Sequence, residues 1–460
     1  MNRESLSPAA RRALAGLALS MLLPSLDTSI ANVGLPTLAT AFAATFAQAQ
    51  WIVLAYLLAI TTLIVSVGRL GDLLGRRCLL LTGIGIFSVA SLLCGLAPDL
   101  WWLIGARAVQ GLGAAIMLAL TMALVNDVVP KTRVGSAMGL LGTMSAVGTT
   151  LGPSLGGLLI AHVGWPSIFL LNVPLGVLNG WLVYRYLPVD RPLNQPVAFD
   201  PLGTLLLAAT LAAYALAMTL RLFSGQLLLV SLLGAVCFVQ AERRARSPLI
   251  RLALFADSGV GRGVALTFLV TTVMMTTLIV GPFYLGRGLG LSSTSVGLAL
   301  SVGPLMAALA GVPSGGLVDR FGDRRVVFGA LLMMTSACAL LALLPMGFGL
   351  AGYLSSIVML TTGYALFQAG NNTGLMTGVS AQQRGVVSAL LGLARNLGLV
   401  TGVAAMGAVF TLATGEPTEA SATVVGSGLH VTFGVATALL FAALVLRQAS
   451  VKKRERACSR

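Results

Sequence analysis

Two ionisable residues stand where a span of apolar helix has no ordinary use for them. The run from Ala13 to Pro36 is long enough to cross a bilayer, which takes about 20 mainly apolar residues. Asp27 lies inside that run, roughly 20 Å beyond Arg12 at about 1.5 Å of rise per residue, past the midplane but still within the hydrocarbon. A carboxylate at that depth costs several kcal/mol unless it is paired, hydrated or protonated. No other acidic residue falls deep in any expected span. A group that can be neutral or charged inside a membrane is what proton coupling requires, and the plainer alternative is a carboxyl held by hydrogen bonds for packing alone. The second residue is Arg107, in the stretch Ile104-Gly-Ala-Arg107-Ala-Val-Gln110-Gly111-Leu-Gly113. Gln110 and the small residues after it predict one polar, closely packed face with a buried arginine. Arg107 also lies about four residues from the outer end of its span, from where such a side chain can instead snorkel.

Other catalytic chemistry finds no residues to perform it. The sequence holds no HExxH, GxSxG or Walker loop and no clustered histidines, so an enzyme is not expected. The cysteines at 78, 94, 237, 338 and 458 have no metal spacing and suggest no disulfide framework. No cofactor and no metal are expected.

The elements that must hold these residues are membrane helices. The chain has 460 residues, 57% hydrophobic and 9% charged, with a mean hydropathy of +0.93. No soluble domain has that balance, and short alternating strands of a barrel are not found. An all-α polytopic membrane protein follows, with spans expected near 13–36, 50–68, 79–98, 101–125, 135–161, 166–186, 201–220, 225–241, 262–286, 295–317, 326–346, 350–376, 385–411 and 428–447. The net charge of +15 invites a nucleic-acid partner, but the lysines and arginines fall in alternate loops. Arg3, Arg11 and Arg12 are followed by Arg69, Arg76 and Arg77, then Lys131 and Arg133, Arg185 and Arg191, Arg243 to Arg262, and Arg320 to Arg325. Only Arg221 and Arg287 lie on the opposite side. That asymmetry predicts a multi-pass protein with both termini cytoplasmic, with lipid and not nucleic acid as its partner.

An internal repeat sets the symmetry. GRLGDLLGRR at 68–77 follows span two, and GGLVDRFGDRR at 315–325 follows span ten. Gly68 matches Gly315, Asp72 matches Asp319, Gly75 matches Gly322, and Arg77, beside Arg76, matches Arg324. Repeats at corresponding places suggest two pseudo-symmetric halves: a six-helix half over 1–190, two inserted helices over 191–250, and a second six-helix half with a basic tail over 251–460. In span five, Gly148, Gly152 and Gly156 share one face that lets another backbone approach, and Pro153 kinks the helix.

These segments together resemble the major facilitator superfamily. The loop at 68–77 is similar to its signature loop, the Arg107 stretch to its proton-transfer motif, and GTTLGPSLGG at 148–157 to the motif of its antiporters. LDTSIANVGLP at 26–36 and the stretch from Gly164 to Gly176 are similar to the fourteen-span drug:proton antiporter branch. Pro166 departs from the arginine usual there. The resemblance implies a substrate cavity between two halves that opens to alternate sides, proton entry driving substrate out, and roles in proton coupling for Asp27 and Arg107.

Substrate contacts are expected from Asp27, Gln110, Tyr364, Gln368, Asn371, Asn372 and Arg395. Tyr56, Met117, Met144, Phe283, Tyr284 and Phe367 together could form an adaptable apolar pocket, while for each one taken alone ordinary packing or lipid contact is the favoured reading. For Tyr364, Gln368, Asn371 and Asn372, at helical spacing, interhelical hydrogen bonding is an equal alternative. His162 and His430 are expected near the surface. The function expected is proton-coupled export of amphipathic, cationic compounds by a monomer in a bacterial cytoplasmic membrane. The alternatives are a narrow exporter of a siderophore, amino acid or pigment, a proton symporter, and a receptor without transport.

Overall fold

The computed structural model describes residues 7–130, 134–189, 201–219, 224–245, 258–343, 345–377, 381–417 and 419–458. Among these residues the secondary structure is entirely helical, with fourteen helices long and apolar enough to cross a membrane. In order they are α1 Pro8–Ala41, α2 Phe46–Leu74, α3 Arg76–Gly95, α4 Leu100–Val128 and α5 Val134–His162. The sixth, α6, spans Ser167–Tyr186. Next come α7 Pro201–Thr219, α8 Ser224–Arg244, α9 Ser258–Phe283, α10 Ser293–Phe321, α11 Asp323–Leu343 and α12 Gly349–Thr377. The last two are α13 Ala381–Thr401 and α14 Ala422–Cys458. A wider turn, Tyr284–Gly288, extends α9 just beyond Pro282, and another, Gly402–Met406, carries α13 on into Gly407–Thr414.

Local chemistry starts and stops the helices. Ser7 caps α1 by accepting from the Ala10 amide, with Pro8 at the first position, where its missing N–H costs nothing. Asp99 caps α4 by accepting from Trp102 N at 2.8 Å. Pro24 and Pro36 sit inside α1. The carbonyls of these two prolines each accept from the hydroxyl of a threonine one turn on, Thr28 and Thr40. The matched glycines of the repeat do the same work twice. Gly75 separates α2 from α3 at φ 92°, and Gly322 separates α10 from α11 at φ 81°. That backbone conformation is one other residues rarely adopt.

The chain divides into two compact units, Met1–Ala44 with Trp51–Leu249, and Thr45–Gln50 with Ile250–Arg460. The inserted pair α7 and α8 belongs to the first unit, where Trp51 Nε1 donates to Thr219 and Ser66 is hydrogen-bonded to Thr204. The boundaries expected at 190/191 and 250/251 lie outside the described residues, as do Lys131, Arg133, Arg191 and Arg251. Gly68 and Asp72 fall within α2, but their surroundings lie outside the described residues. In the first unit Arg76 lies 3.6 Å from Asp127, and Arg77 donates to the Tyr184 carbonyl. In the second, Asp319 and Arg324 are exposed.

Close helix contacts in the first unit rest on missing side chains. A Cβ on Gly148 would come within 2.7 Å of the Leu22 carbonyl, and one on Gly152 within 2.4 Å of Ser29 Cβ. Gly156 faces Ile30. The glycine face of α5, with Pro153 beside it, is therefore applied directly to α1. On α4, Gly111 meets the Tyr56 carbonyl of α2 and Gly113 meets Phe87 and Gly83 of α3. A helix bearing a buried arginine is thus drawn against two neighbours at backbone distance, which shortens the reach its side chains need.

Candidate functional site

Asp27 and Arg107 meet in the first unit. Arg107 Nη1 donates to Asp27 Oδ2 at 2.5 Å, with side-chain exposures of 0% and 1%. Buried charges in an apolar medium persist only where hydrogen bonds replace the lost water, and here four helices supply them. From α4 itself, Gln110 Oε1 accepts from Arg107 Nη1 at 2.6 Å while its Nε2 donates to Asp27 Oδ1 at 2.9 Å. The same Nε2 donates to Ser91 Oγ of α3. From α6, Asn172 Nδ2 donates to Asp27 Oδ1 at 2.7 Å. From α2, the Ile52 carbonyl accepts from Arg107 Nε at 3.0 Å. The Tyr56 ring lies 4.2 Å from the guanidinium carbon and the Phe169 ring 5.6 Å, within the range of cation–π attraction. The Tyr56 hydroxyl donates to the Pro24 carbonyl.

Each part has a local cause. Arg107 and Gln110 are three apart on α4, so they lie on one helix face. The carboxylate is met by two amide nitrogens on one oxygen and a guanidinium on the other. That arrangement gives both carboxylate oxygens a donor inside the helix bundle.

The remaining expected residues take varied places. Tyr56 and Gln110, expected to touch substrate, are fully buried in the ion-pair cluster. Met117 is buried in α4 and Met144 is half-buried in α5. In the second unit, Asn371 of α12 donates to the Gly263 carbonyl and to Thr267 Oγ1 of α9, so its amide nitrogen joins two helices. Gln368 Nε2 donates to the Tyr364 hydroxyl one turn away. Tyr364, Gln368 and Asn372 are half-buried, and Arg395 is exposed. Phe283 and Phe367 are core residues, and Tyr284 stacks obliquely on Tyr353 at 5.7 Å. His162 is exposed and His430 half-buried. No group of three or more His, Cys, Asp or Glu that could hold a metal ion occurs among the described residues.

Sequence reasoning missed Asn172 and Ser91. Asn172 had a readable signal, because Asn172 and Asn179 are seven apart in an apolar stretch and so share a face of α6. Ser91 had none, since a lone serine in a membrane helix bonds its own backbone as readily as a neighbour.

Comparison with known proteins agrees with this architecture. The chain is 30% identical over 452 residues to the riboflavin transporter RibZ of Clostridioides difficile, covering 96% of this chain and 98% of that one. It is 33% identical over 413 residues to the multidrug resistance protein Stp of Mycobacterium tuberculosis, covering 86% and 74%. Its fold superposes with a TM-score of 0.72 on the crystal structure of a bacterial homolog to the human lysosomal transporter Spinster, at 16% identity, over 96% and 97% of the two chains. The family model of the Major Facilitator Superfamily matches residues 17–403 and 262–457, and the chain belongs to that superfamily of membrane transporters.

Proposed function

We propose that this transporter is a proton-coupled antiporter that exports amphipathic, cationic compounds across a bacterial cytoplasmic membrane, both termini lying in the cytoplasm. The observation that carries the reading is the Asp27–Arg107 pair at the centre of a hydrogen-bond cluster drawn from five helices. As a stabilising device it is a poor choice. Replacing a buried ion pair by well-packed apolar residues is often neutral or favourable by about 1–4 kcal/mol. A titratable carboxylate kept in such a place suits proton exchange, because proton and cationic substrate can compete for one negative charge. The similarity to the multidrug resistance protein Stp supports the substrate class, and the alternation of basic loops supports the orientation.

A second reading has its own support. The match to the riboflavin transporter RibZ runs nearly the full length of both chains, which favours a narrow metabolite as the cargo. Purified protein in liposomes with an imposed pH gradient separates the two. Exchange of ethidium and a quaternary ammonium compound for protons supports the first reading. Movement of riboflavin alone supports the second, and movement that persists unchanged without a pH gradient overturns proton coupling.

A further inference from the structure

We propose that a hydrated polar column along α6 leads from Asp27 past Asn172 to Asn179, toward the Arg12–Tyr186 end of the first unit, and carries its proton. The inference deepens the reading of Asp27 as a coupling group and rests on it.

The column begins with a repeated contact. Asn172 donates its amide nitrogen to Asp27, and Asn179 donates its amide nitrogen to Ser20 Oγ at 2.8 Å. The partners are seven apart on α1 and seven apart on α6, running in opposite directions, so two antiparallel helices meet at the same chemistry two turns on. Further along the seam Gly16 packs on Val183, and Arg12 Nη1 donates to the Tyr186 hydroxyl at 3.3 Å. The amide orientations are determined by their partners. Asp27 can only accept, and Ser20 spends its proton on the Gly16 carbonyl, so each asparagine presents nitrogen to α1 and turns its oxygen away.

Those two oxygens are the second observation. Asn172 Oδ1 and Asn179 Oδ1 are fully buried and accept from no group of the protein, and Arg107 Nη2 is a buried donor in the same condition. A buried amide oxygen without a donor is costly, and ordered water commonly meets that cost. Between the two asparagines, Gly176 admits the Ser88 hydroxyl of α3 onto the α6 surface, where any Cβ would collide with it. Asn172, Gly176 and Asn179 share one helix face, and Ser88 lies one turn from Ser91, which belongs to the Asp27 cluster. A polar atom therefore stands at each turn over the roughly 10 Å separating the asparagines.

The transfer is a chain of proton exchanges. The O–H of protonated Asp27 breaks as a water at Asn172 gains the proton. Each following water then takes one proton and releases another. The last water, at Asn179, releases the proton toward the Arg12–Tyr186 end, and the Asp27 carboxylate is left against Arg107. The asparagines hold the water and are not themselves protonated.

Two measurements test this. A cryo-EM map of the protein in lipid nanodiscs, at about 2 Å, should show ordered water roughly 2.8 Å from Asn172 Oδ1 and Asn179 Oδ1. Clear side-chain density without water there overturns the proposal. That outcome does not depend on any substrate, so it is distinct from a failure of ethidium to move, which would count against the export reading alone. In liposomes with acid outside, ethidium loaded inside and pyranine trapped as the pH reporter, Asn179→Leu should slow ethidium-coupled proton movement about tenfold or more. Ethidium binding to the purified variant should stay unchanged. Asn179→Ser, which leaves room for water, should retain most of the proton movement. Wild-type proton movement in Asn179→Leu overturns the route. If that variant does not fold, Ser20→Ala takes its place with the same expectation.

Discussion

Asp27 and Arg107, eighty residues apart in the chain, form an ion pair of 2.5 Å in which both side chains are buried. Each residue offsets the cost of burying the other's charge. An isolated charge in the hydrocarbon is costly, whereas the pair with its amide partners is locally neutral and nearly saturated. A contribution of the pair to stability and a role in coupling can be separated experimentally.

Asp27→Asn removes the charge and leaves Arg107 buried and uncompensated. Loss of one member of a buried pair typically destabilises by about 3–5 kcal/mol. The variant should fold with a markedly lower unfolding temperature in detergent and should not drive export by a pH gradient. Adding Arg107→Gln should recover much of the stability and none of the transport. Recovery of transport by the double variant would show that Asp27 serves packing alone.

Gln110 touches both charges, as acceptor to Arg107 and donor to Asp27. Gln110→Leu has similar size and removes both bonds together with that to Ser91. A stability loss of about 1–3 kcal/mol is expected, with a fall in the maximal rate of proton-driven transport at matched protein amounts. A rise in KM with an unchanged maximal rate would place Gln110 in substrate binding instead.

The α1–α5 contact leaves no room for a side chain at Gly152, where a Cβ would meet Ser29 Cβ at 2.4 Å and the Leu26 carbonyl at 3.1 Å. Gly152→Ala should cost about 1–3 kcal/mol through forced separation of the helices, and Gly152→Leu should impair transport more severely. Both are read from thermal unfolding and liposome export. Gly85, with nothing within 4 Å of a built Cβ, is the control, and Gly85→Ala should be mild.

Orientation follows from loop charge. Reporter fusions at the N-terminus, near Arg251 and at the C-terminus should report cytoplasm, and one near Glu416 should report the outside. A C-terminal reporter found outside would break the fourteen-span arrangement.

Hydropathy and residue type alone determined the helical class, the fourteen spans, the repeat and the two most informative residues. The physical reason is that lipid admits few structures and penalises charge, so Asp27 and Arg107 stand out without any knowledge of neighbours. The glycines at 148, 152 and 156 were legible for the same kind of reason, since spacing along one helix is a local property. Their partner, α1, was not. Tertiary structure alone decided that Asp27 faces Arg107, that Tyr56 is a ring against a guanidinium, and that Asn371 ties α12 to α9. It also decided that Asn172 and Asn179 meet α1 in register. A hydrogen bond is a property of two groups brought within about 3 Å. In a bundle that proximity depends on which helix faces meet, which no single segment of sequence records.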